Sequence, residues 1–150
     1  MGIFADSVGE LPGRAEDVRA VAQSLATLKT DLDSARTTYE SAPSLAPSWE
    51  GASADAFDAV HSAAGKDLWA LIDGIDEGRA SLDRYASALE SRTKAVEDIR
   101  IAAEILDTQW DGMSAQEQAS QAAWVDNELN ELTKWYQSHV DGVRRDAAEC

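Results

Sequence analysis

Along this chain apolar residues recur in alternating steps of three and four, interrupted twice. Val18, Val21, Leu25, Leu28, Leu32, Ala35, Tyr39 and Ala42 form the first run. Such an a/d seam predicts a straight helix packed lengthwise on a neighbour. Leu11-Pro12-Gly13 closes a short irregular N-terminus ahead of it, Glu16 and Asp17 complement the helix dipole, and Pro43 and Pro47 stop it. The second run holds its register from Phe57 through His61, Ala64, Leu68, Leu71, Ile75, Gly78, Leu82, Tyr85, Leu89, Arg92, Val96, Ile99 and Ala103 to Leu106. It predicts one helix of roughly 50 residues, about 75–80 Å long, with Ser53 as its N-cap. Gly65, Gly74 and Gly78 each weaken that helix by about 1 kcal/mol relative to Ala, and a break would fall near Gly65. A third run, Ala115, Ala119, Ala122, Val125, Leu129, Leu132, Tyr136, His139 and Val143, follows Ser114 as cap.

These runs predict an all-α fold in which residues 1–150 form a single helical domain. Residues 11–107 make an elongated antiparallel hairpin around a long central helix. Residues 113–150 add a third antiparallel helix on the second half of the central one, giving a three-helix, coiled-coil-like bundle. Each outer helix reaches about 50 Å, so the two overlap for only about 20 Å of the central helix, opposite residues near 72 to 88. The two-helix ends then leave apolar stripe exposed, which usually marks a partner site. Phe57, Leu68, Leu71, Leu82, Tyr85 and Leu89 are the seam candidates for such an interface. Trp124 and Trp135 flank the third seam, where they either widen the core or form a protein-binding face.

Both junctions carry a Trp two places before a Gly: Trp49 and Gly51 in "APSWEGASADAF", Trp110 and Gly112 in "QWDGMSAQ". Gly suits a tight junction that needs positive φ. Trp can fold back and close the end of the seam, with Phe57 its natural neighbour, and truncating a buried Trp costs about 3–5 kcal/mol. The stretch "SWEGASADAFDAV" after a long helix resembles the signature of the WXG family, the helical hairpins exported by type VII secretion systems. It is most similar to the hairpin domains that open larger actinobacterial secreted effectors and polymorphic toxins. Residues 11 to 107 are covered, with Trp49 and Gly51 as the turn residues; Trp110 and Gly112 are a local repeat.

The resemblance implies a non-enzymatic module that pairs with a small WXG-type hairpin, as hetero- or homodimer, and is presented to a membrane-bound secretion ATPase. It also implies export through a type VII system from the cytoplasm. One departure matters. The family's Tyr-x-x-x-Asp/Glu signal is absent, because Tyr39, Tyr85 and Tyr136 are followed four places on by Pro43, Leu89 and Val140. Glu90 and Asp141 stand one residue late, about 100° around the helix. Either a partner supplies the signal, or this chain is not itself the recognised subunit.

Composition narrows the chemistry. With 150 residues, 44% hydrophobic and 27% charged, the chain is globular. A formal charge of −15 argues against nucleic acid and anionic lipid as ligands, which need basic patches, and suits either a basic partner or plain solubility. It leaves a second reading open: an acidic immunity or adaptor protein that caps a basic partner. No apolar run approaches a membrane span and the N-terminus lacks the features of a signal peptide. The C-terminal "RRDAAEC" has no helix stop signal, which suggests a chain that was cut there or that continues in a longer protein.

Only two His exist. Asp58-x-x-His61 is the nearest approach to a di-iron Glu-x-x-His pair, and His139 has no acid at that spacing, so both are expected as plain packed or interface histidines. No nucleophile elbow or Gly-rich phosphate loop is present, and Cys150 is a poor nucleophile at a terminus. Neither catalysis, cofactor nor metal is expected.

Overall fold

The computed structural model describes residues 2–45 and 47–150 and is all-α, with no strand among them. Helix α1 spans Ala15–Ser41, α2 Ala52–Asp111, α3 Ala115–Ser120 and α4 Ala122–Ala148. Short 3-10 turns lie at Ala5–Ser7 and Ala42–Leu45. Pro43 ends α1 where its missing N–H and ring forbid another α turn. Glycine opens α2: Gly51 has φ +95°, and its carbonyl accepts from the Ala54 and Asp55 N–H groups at 2.9 and 3.1 Å. Gly51 therefore holds the capping position expected of Ser53, which lies inside the first turn. As the unbroken seam predicts, α2 is one continuous helix, and at 60 residues it is longer than the roughly 50 expected, with no break at Gly65. Gly65 is buried under the Tyr39 ring, so packing against α1 offsets its weak propensity.

The chain divides into two compact units, Val18–Arg84 and Met1–Asp17 with Tyr85–Cys150. In the first, α1 and the early part of α2 form an antiparallel hairpin. Tyr39 stacks on His61 at 3.9 Å, Lys29 pairs with Asp76 at 3.2 Å, and Leu25 approaches Gly78.

The seven-residue repeat read from the sequence is present here, Val18, Leu25, Leu32 and Tyr39 against His61, Leu68, Ile75 and Leu82, but the flanking column is not the expected one. Ala22 is buried while Val21 and Leu28 are exposed; Ile72 is 5% exposed while Leu71 is 52% exposed. The physical reason lies in what the chosen flank offers. Ala22 and Gly65 allow close approach. Lys29 and Arg36 lay their stems along the seam, with the Arg36 guanidinium 4.8 Å from the centre of the Trp69 ring.

In the second unit α4 runs antiparallel to the late part of α2, and the N-terminal segment packs against both. Phe4 is 0% exposed and, with Val8, joins Val96, Ile99, Ala103 and Leu132 in one cluster. Trp124 meets the Phe4 ring edge-on at 5.7 Å and lies 6.4 Å from Trp110. The buried Asp107 carboxylate accepts the Phe4 and Ala5 N–H groups, both at 2.9 Å, and so caps the first 3-10 turn. The Tyr136 hydroxyl donates to the Glu10 carbonyl at 3.0 Å. At the far end Arg92 crosses Gly142 to reach Asp146 at 2.7 Å. The N-terminus, expected as irregular, is thus a core element.

The third helix is interrupted. Ser114 caps α3 as expected, and does so in a reciprocal capping box with Glu117. Gln121 then leaves helical geometry at φ −104°, ψ 13° before α4 begins. Gln118 donates to the Trp110 carbonyl at 2.9 Å, which ties α3 to the end of α2. The break turns the chain so that Trp124 reaches Phe4 and Trp110.

Candidate functional site

Helical geometry places the exposed apolar residues of the Val18–Arg84 unit together. At about 100° per residue, Val21 and Leu28 lie on one side of the α1 seam, and Val60, Ala64 and Leu71 on one side of the α2 seam. The Lys29–Asp76 and Arg36–Trp69 contacts fix which sides these are, because both pairs bridge the opposite flank. In an antiparallel pair equivalent flanks of the two helices share a face. One face of the hairpin is therefore held by ion pairs and aromatic rings. The other presents Val21, Leu28, Val60 and Leu71, all at least 45% exposed, with Ala64 between them. These four are the only exposed large apolar residues among the described α-helical positions of the unit.

The turn beside this face is built as the first Trp-x-Gly suggests. Trp49 is 48% exposed, and its ring lies 5.4 Å from Phe57, whose ring lies 5.5 Å from His61. It covers the seam end with one face and meets solvent with the other. The second Trp-x-Gly is different. Trp110 sits inside α2 and packs into the Phe4 cluster, while Gly112 is not among the positive-φ residues, which are Gly13 and Gly51. The two motifs share letters and not geometry.

The other expected interface residues separate by environment. Phe57, Leu68 and Leu82 are half-buried within the hairpin, and Leu71 is exposed on its apolar face. In the second unit Tyr85 and Trp124 are half-buried, and Trp135 stands exposed on α4. Leu89, at 1% exposed, belongs to the chain's own core and offers nothing to a partner.

A groove of about 620 Å³ runs along the opposite, polar face of the hairpin, lined by Tyr39, His61, Gly65, Lys66, Trp69 and Asp73 among others. His61 donates from Nε2 to the Tyr39 carbonyl at 2.8 Å, so that nitrogen is occupied. Among the described residues no three His, Cys, Asp or Glu side chains converge as a metal site, and no helix is long and apolar enough to cross a membrane.

No family model, curated protein or solved structure matches the chain. Its surfaces carry the functional assignment. Sequence spacing alone did not reveal three of the features that matter. Val21 and Leu28 were placed in the seam instead of on the open face. Phe4 carried no periodic signal. Asp107, an acid four places after Ala103, takes its role only from the N-terminal segment whose N–H groups it accepts.

Proposed function

We propose that the chain is a non-enzymatic export and targeting module that acts by pairing with a second helical hairpin, in the manner of type VII secretion substrates of the WXG type. One observation carries the reading: a two-helix hairpin with its internal seam closed on one flank leaves four large apolar residues on the other. Surfaces of this kind mark protein partners. The Gly51 turn and the Trp49–Phe57 contact support the WXG comparison. On this reading the chain leaves the cytoplasm with a small WXG-type partner, which supplies the Tyr-x-x-x-Asp/Glu signal to the membrane-bound ATPase. It would form the opening domain of a larger secreted effector.

Co-expression with small WXG-type hairpins encoded beside it tests this. A stoichiometric complex that survives gel filtration is expected, and it should be lost in a Leu28→Asp/Leu71→Asp double variant. A chain that remains alone with every such partner overturns the reading. The −15 charge favours a second reading, an acidic immunity or adaptor protein. That protein would bind a cationic partner through charge alone and release it near 0.5 M salt, whereas apolar pairing persists there.

A further inference from the structure

The apolar face of the hairpin has a one-signed border. Residues three and four places from an exposed helical position are its surface neighbours. Within the Val18–Arg84 unit, those around Val21, Leu28, Val60 and Leu71 include Asp31 and Asp67 and no Lys or Arg. Both carboxylates are exposed, and neither is ion-paired among the described residues. Three of the unit's cations are engaged elsewhere: Lys29 and Arg79 pair with Asp76, and Arg36 pairs with Glu40 and covers Trp69.

From this asymmetry we infer that the face receives a helix of a different chain whose apolar stripe is flanked by Lys or Arg. The inference rests on the pairing reading and adds the partner's chemistry. A second copy of this chain is the wrong occupant. It would bring together two faces bordered by acids alone, on molecules that each carry −15. Apolar contact supplies the affinity, and the two carboxylates select the sign of the flanks and the orientation of the incoming helix.

The test uses the full chain and two synthetic helical peptides of about four heptads. Both carry Leu and Ala at a and d; one has Lys at e and g, the other Glu. At about 0.15 M salt the Lys peptide is expected to bind at least about tenfold more tightly than the Glu peptide. In Asp31→Asn/Asp67→Asn that preference should shrink to about threefold or less. Leu28→Asp/Leu71→Asp should lose the Lys peptide despite its added negative charge, with its melting temperature retained because both side chains are exposed.

Equal binding of the two peptides overturns the basic-partner inference and leaves hairpin pairing standing. Undiminished binding of the Lys peptide to Leu28→Asp/Leu71→Asp shows attraction by net charge alone and overturns the site. Failure of the Lys peptide to bind, or a stable homodimer of the chain in sedimentation, overturns it too.

Discussion

Gly51 and Gly112 each follow a Trp by two places, and the backbone separates them. Gly51 sits at φ +95° with open space around the missing side chain, so only conformation demands glycine there. Gly51→Ala should lower the unfolding free energy by about 1 kcal/mol or more, and Gly112→Ala by less than about 0.5 kcal/mol, in urea titrations. A second neighbouring pair separates equally well. Ile72→Ala empties a buried site and should cost about 2–4 kcal/mol. Leu71→Ala, one residue away, should stay within about 0.5 kcal/mol. A similar cost at both positions would mean that the hairpin closes on the other flank. Asp107→Ala leaves the Phe4 and Ala5 N–H groups without an acceptor and is expected to cost about 1–3 kcal/mol.

At the scale of elements, much was legible and the reason for the remainder is specific. The three apolar runs gave the helices because a spacing of three and four has no other common use. The repeat Val18, Leu25, Leu32, Tyr39 identified the packed side of α1. It could not choose between the flanks at 21, 28, 35 and at 22, 29, 36, since a heptad seam accepts either. Hydropathy favoured Val21 and Leu28. The structure uses Ala22, Lys29 and Arg36, because small residues and long stems allow closer packing and end in Asp76 and Trp69.

The N-terminal segment was illegible for another reason: one buried ring and one buried carboxylate make no period. Phe4→Ala should cost the second unit about 3–5 kcal/mol. It should also raise amide exchange in α3 and the start of α4, where Trp124 rests on the Phe4 ring. For the candidate face, the residues were visible as apolar letters and their exposure was not.

For the whole molecule, charge sets the response to pH. The Arg92 guanidinium, bonded to the Asp146 carboxylate, holds it below its ordinary value of 3.8. The Ser114 hydroxyl and N–H hold Glu117 below 4.5. Unfolded carboxylates therefore take up protons first as the solution is acidified. The stabilisation is complete above the ordinary values and is lost as pH falls through the lowered native ones. Urea midpoints should fall steadily between about pH 5 and pH 3, and less steeply in Asp146→Asn. A slope that is unchanged in that variant would remove Asp146 from the explanation. The acid excess itself, −15 over 150 residues, acts on association more than on the fold.

The flank left open by α1 and α2 has a consequence for how this molecule can change over time. On the pairing proposed above, self-recognition within the hairpin and recognition of an outside helix would draw on adjacent but separate columns of the same two rods. Drift at Val21, Leu28, Val60 or Leu71 can retune the company the protein keeps while Ala22, Ile72 and Ile75 go on closing the loop between its own helices. Specificity and foldability are uncoupled by a quarter turn.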